Sequence, residues 1–140
     1  MTIAAALLGV ILVAFAAWVR LAPSDPGVWH VSPVVEGPWD EVLPGTGAAT
    51  LRLSSGRGAP LELLARLDAL AMATPRTTRL AGSVAEGRIT WITRSALWGF
   101  PDYTTAEARP DGLYVHARLR FGSEDMGVNA ARLRHWLSRL

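Results

Sequence analysis

The chain has 140 residues, half of them hydrophobic, a length that fits one domain and leaves room for one modest core once a membrane segment is set aside. Its 14 basic residues are all arginine and stand against 12 acids, so a net charge of +2 excludes the strongly basic footprint of a nucleic-acid binder. The lack of cysteine excludes a disulfide framework and any thiolate metal site.

Thr2 and Val19 bound an uncharged apolar run of 18 residues. At about 1.5 Å per residue this nearly spans a hydrocarbon core of about 30 Å, and it has no polar face to turn toward solvent. Trp18 and Arg20 close it with an interfacial ring and a snorkelling cation, and Pro23 stops the helix soon after. Ala14-Phe15-Ala16 is a cleavage-like motif, but no basic region precedes the apolar run, so residues 1–22 are read as a retained single-pass anchor with the lipid bilayer as its partner.

Residues 23–47 hold five prolines and four glycines and are read as a linker or irregular lid. Trp29 and Trp39 lie within it, and large rings of this kind predict that parts of the linker dock on the domain. The domain itself is expected over 48–140. It opens with a strand at 49–53, a turn at 54–58, and a helix from Pro60 whose Leu63, Leu64, Leu67, Leu70 and Ala71 recur at helical spacing.

Four strands follow, at 77–84, 88–95, 103–109 and 112–121, joined by turns too short for helical crossovers. In the last of them Leu113, Val115, Ala117 and Leu119 alternate with Tyr114, His116, Arg118 and Arg120. A closing helix from about Met126, with Asp125 as N-cap, carries Leu133, Trp136, Leu137 and Leu140 on one stripe and turns Arg132, Arg134 and Arg139 to water. The expected class is α+β: a small antiparallel sheet of about five strands, mostly a meander, with two helices on one face.

The segment from Arg120 through Phe121, Gly122, Asp125 and Gly127 to Asn129, with Arg132 beyond it, resembles the C-terminal signature of domain-of-unknown-function family 1499. Pro75-Arg76-Thr77 is similar to an element that follows the first helix of that family, and Arg94-Ser95, Gly99-Phe100 and Asp102 to its central strand and turn. The match spans about residues 60–140. Glu124 stands where the family has serine, Asp102-Tyr103 where it has two acids, and Ala130 where arginine is common. The resemblance implies no activity. It does imply an exported domain behind a signal or single anchor, hence a periplasmic domain on the inner membrane.

Among the residues themselves, His30, His116 and His135 are isolated in sequence and form no ligand motif, and Ser95 lacks the G-x-S-x-G elbow. Trp91, Trp98 and Phe100 are a candidate apolar pocket, with core as the competing reading. A polar set formed by Arg76, Arg94, Asp102, His116, Arg118, Arg120, Asp125 and Asn129 is placed by the strand period largely on one sheet face and at its ends. It is either a surface for a partner or anion, or a solvated face knit by ion pairs, and Arg76 and Arg120 are positioned to bond the Asp125 turn. No catalytic residue, cofactor or metal is implied. The leading expectation is a non-catalytic accessory subunit that docks on another membrane protein or complex. A binding module for a small apolar or anionic ligand comes second, and an enzyme using Asp102, His116 and Asp125 third.

Overall fold

The computed structural model describes residues 2–140 and arranges them as an apolar helix, an irregular strap and a six-stranded antiparallel sheet with two helices packed on one face. The first helix, α1 (Ile3–Leu21), starts where Thr2 Oγ1 accepts the Ala5 amide, and it is long and apolar enough to cross a membrane, with a mean hydropathy of 2.3. Its side chains are bare almost throughout. Val19, in the last turn, is fully buried.

The class is α+β as expected, with six strands rather than about five. The additional strand, β1 (Val42–Gly45), lies inside the Pro/Gly-rich segment read as linker, and it pairs with β2 (Ala48–Ser54) around a turn at Thr46-Gly47. Pro44 is compatible with it because β1 is an edge strand, where one missing donor costs no ladder bond on the open side. After β2 come α3 (Pro60–Ala73), β3 (Thr77–Ser83), β4 (Arg88–Arg94), β5 (Pro101–Arg109), β6 (Gly112–Leu119) and α4 (Val128–Leu137). A short helix, α2 (Pro26–Trp29), lies in the strap. The spatial order β1-β2-β6-β5-β4-β3 makes β3 to β6 a meander, with β2 antiparallel to β6 at its far side.

The alternation read in β6 sends Leu113, Val115 and Ala117 into the core beside Ala49, Leu51 and Leu53 of β2. Against them pack Leu63, Leu64, Leu67 and Ala71 of α3 and Ala130, Leu133 and Trp136 of α4. Trp91 and Trp136 meet edge to face at 6.1 Å, and each satisfies its indole N–H, on Asp68 and Thr74 respectively, both at 2.9 Å. Trp91 is therefore core.

The second sheet face is covered by the strap. Trp29 stacks flat on Tyr103 with ring centroids 4.0 Å apart, Ser24 bonds the Tyr103 hydroxyl, and His30 Nδ1 meets the Thr90 hydroxyl at 2.9 Å. Backbone carbonyls of the strap accept from the sheet's arginines: Pro23 from Arg120 at 3.0 Å, Trp29 from Arg118 at 2.7 Å, and Pro33 from Arg109 at 2.6 Å. The far end is pinned by Asp40, which accepts from the Ser54 amide and hydroxyl and pairs with Arg57 at 2.8 Å. Proline-rich chain suits this task, since its carbonyls are not committed to a helix or ladder and remain free to accept.

Removing the ring that seats the strap should therefore release it. Trp29→Ala is expected to cost about 2 kcal/mol of stability, from lost stacking and apolar burial, and to make residues 26–40 cleavable by protease while the sheet stays resistant. Limited proteolysis with mass mapping checks this.

Candidate functional site

The polar residues singled out in the sequence do not form one face. Strand register divides them, because cross-strand partners share a side: His116 opposes Thr105, and Arg118 opposes Tyr103, on the strap side, whereas Asp102 opposes Leu119 and Thr93 on the helix side. The strap-side set is held by the protein itself. Burial lowers the pKa of His116, with the neighbouring Arg118 adding to the effect, and burial together with Arg88 lowers that of His30.

The helix-side set forms a connected chain at one end of the sheet. Asp125 accepts from the Gly127 amide at 3.0 Å and from both the amide and side-chain nitrogen of Asn129, at 2.9 and 2.8 Å. Asn129 in turn accepts from Arg132 at 2.7 Å, and Arg132 reaches Asp102 at 3.3 Å. Arg132 does not face water as its helical position predicts. Its side chain is 10% exposed, because β5 brings Asp102 beneath the first turn of α4. Burial pushes the Asp102 carboxyl up, against the opposing pull of Arg132. Asp125 is also raised by burial, but the Asn129 and Gly127 donors outweigh this and hold it below its ordinary value.

Asp125 thus acts as the expected cap from three residues before the helix: α4 begins at Val128, and Gly127, with a φ of 78°, supplies the turn. Arg76 and Arg120 do not bond this turn. Arg76 Nε donates to the Arg94 carbonyl at 3.0 Å, and Arg120 reaches Pro23 and, at 3.1 Å, the Tyr103 hydroxyl.

Next to this chain is a cavity of about 350 Å³. Arg76, Arg94 and Arg132 with Asp102, Glu124 and Asp125 form its charged wall, and Phe100, Leu119, Phe121, Met126 and Val128 its apolar wall. Of the expected pocket residues only Phe100 lines it. Trp91 is in the core, and Trp98 projects from the β4–β5 loop. The residues that sequence reading missed are Phe121 and Met126; they stood inside the quoted C-terminal motif, and their place beside a cavity depends on how β6 ends against α4.

The last turns of α1 meet the same end of the sheet. Phe15 contacts Phe100 at 6.2 Å between centroids, Trp18 contacts Phe121 at 5.3 Å, and Phe100 and Phe121 lie 6.1 Å apart. Arg20 donates to the Leu97 carbonyl at 2.6 Å, and Arg94 to that of Gly99 at 2.9 Å. The apolar residues around the cavity mouth and the nearby loop are exposed, Met126 at 91% and Leu97 at 75%.

The family model for proteins of unknown function, DUF1499, matches residues 44–140. The chain belongs to that family. The match takes in β2 as well as the elements quoted from the sequence, so the whole sheet apart from the start of β1 is DUF1499 domain. No curated protein and no solved structure matches the chain. In this DUF1499 domain the matched motif residues Arg76, Arg94, Asp102, Asp125 and Arg132 all line the one cavity. Among the described residues, no three histidine or carboxylate groups come together to hold a metal.

Two outcomes follow from these geometries. Asp125→Ala strips the cap from α4 and leaves the fully buried Asn129 amide short of an acceptor, so unfolding by urea should show a loss of about 2 kcal/mol. His30 and His116 have folded-state pKa values lower than in the unfolded chain, so the unfolded chain binds more protons as pH falls below about 6.5. The stability they contribute is complete above that pH and declines below it. Thermal melting between about pH 7.5 and 5.5 should show this decline, and His116→Gln should reduce it.

Proposed function

We propose that this protein is a non-catalytic, single-pass membrane protein whose DUF1499 domain lies on the periplasmic side of the inner membrane and receives a small amphiphilic molecule in the cavity beside its anchor. One observation carries the reading: a cavity with one wall of charged groups, three arginines and three carboxylates, and one aromatic-aliphatic wall opens next to the end of the apolar helix. An amphiphile taken from the bilayer surface would find its polar head opposite Arg76 and Arg94 and its tail against Phe121 and Met126.

Retention of α1, rather than its removal as a signal, is supported by the packing of Phe15 and Trp18 on the domain, which folds the cleavage-like Ala14-Phe15-Ala16 into a helix abutting the sheet. A non-catalytic role is supported by the state of the polar groups. Asp102 is engaged with Arg132, the Ser95 hydroxyl accepts the Phe100 amide, and His116 lies on the opposite sheet face.

Docking on another membrane protein is the second reading, and it draws on the exposed Leu97 and on a bare α1. The arginine face that first favoured it is occupied by the strap.

Full-length protein in detergent should bind the fluorescent amphiphile 11-dansylundecanoic acid saturably, with blue-shifted emission. Val128→Trp, which places a ring at the cavity wall, should weaken that binding about tenfold, a loss of about 1.4 kcal/mol. Absence of saturable binding, together with a membrane protein that co-purifies in fixed ratio, would favour the docking reading instead. Because the chain has no cysteine, Ser138→Cys labelled by an impermeant maleimide in intact spheroplasts reports the side of the membrane directly.

A further inference from the structure

Beside the cavity, separated from it by Arg76 and Arg94, is a second hollow of about 340 Å³. Three arginines line it: Arg20 from the last turn of α1, Arg76 from the α3–β3 turn, and Arg94 from the end of β4. Its other walls are Thr78, Ser95 and small residues, with no carboxylate. Among the described residues the ion pairs of this protein occupy Arg57, Arg79, Arg88, Arg109 and Arg132, and none of the three hollow arginines is in one.

The way these three are held is informative. Each is anchored through a neutral partner: Arg20 on the Leu97 carbonyl, Arg76 on the Arg94 carbonyl, and Arg94 on the Gly99 carbonyl. A carbonyl orients a guanidinium without cancelling its charge. The loop is shaped to allow it, since Gly99 has a φ of 75° and a Cβ there would stand 2.9 Å from Arg20 Cγ and 3.0 Å from its Nε. Only glycine lets the loop close over the Arg20 stem. Gathering three like charges without a carboxylate costs free energy in the empty hollow, and an anion recovers it.

We infer that the Arg20, Arg76 and Arg94 hollow is a binding site for the phosphodiester of an anionic phospholipid, which fixes the domain against the bilayer that holds α1. Arg20 belongs to the apolar helix itself, two residues after the interfacial Trp18, so the hollow sits at the level where headgroups lie when α1 spans the membrane. Guanidinium forks suit phosphate oxygens, and the Thr78 and Ser95 positions on the wall offer further donors. The exposed Leu97 and Trp98 on the same loop would enter the interface beside the headgroup. This site does not depend on whether the adjoining cavity takes a ligand.

The test is native mass spectrometry of the full-length protein released from nanodiscs of equal parts phosphatidylglycerol and phosphatidylcholine. Phosphatidylglycerol adducts should exceed phosphatidylcholine adducts, and Arg76→Gln and Arg20→Gln should each lower that preference about fivefold. Arg134→Gln with Arg139→Gln, on the exposed face of α4, should leave it unchanged. Arg76 is exposed and makes a single carbonyl bond, so its variant keeps the fold, as circular dichroism would verify. Equal retention of the two lipids by the native chain, or an unaltered preference in folded Arg76→Gln, overturns the inference. Loss of the phosphatidylglycerol adducts at millimolar inorganic phosphate would reassign the hollow to free phosphate and overturn the lipid as its occupant.

Discussion

Arginine to backbone carbonyl is the bond on which the arrangement of this molecule depends. A sheet with helices on one side has a second face to protect, and here that face is closed by extended chain whose carbonyls accept from Arg109, Arg118 and Arg120. Arg118 and Arg120 have no carboxylate partner, so their charges stay uncancelled while their donors are satisfied, and Arg109 adds an ion pair with Glu107. This explains how a chain without lysine places many cations in half-buried positions: the planar, weakly hydrated guanidinium tolerates them where an ammonium would not.

The same bond sets the direction of the apolar helix. The strap enters the sheet at Pro23, just beyond α1, so Arg120 and Tyr103 hold the chain within a few residues of the apolar helix. No flexible spacer intervenes. Phe15, Trp18, Phe100 and Phe121 then form one aromatic cluster shared between helix and domain, and both hollows open beside it. A domain joined this way keeps a defined orientation to the apolar helix, which a tethered one does not.

The polar chain Asp125-Asn129-Arg132-Asp102 shows why a site on such a fold is costly to alter. Asn129 is fully buried and bonded on both sides, so each member supports the next, and the helix N-terminus, the sheet end and the cavity wall are one unit.

Much of this was legible in the residues. The uncharged apolar run, the leucine spacing of α3, the alternation in β6 and the turns of the meander are local patterns with a single period, and they predicted helix, strands and core side correctly. The three separated motifs likewise indicated the family. Other features depended on contacts between residues far apart in the chain. β1 was hidden because a four-residue edge strand containing Pro44 and Gly45 reads as linker until β2 pairs with it. Arg132 reads as a surface residue until β5 places Asp102 beneath it, and Trp91, Trp98 and Phe100, neighbours in sequence, are sent to core, surface and cavity by strand register and by the loop between strands. Periodicity determines which side of its own element a residue occupies. Only the tertiary structure decides what lies across from that side, and here that decided the strap, the cavity and the three arginines gathered at the end of the apolar helix.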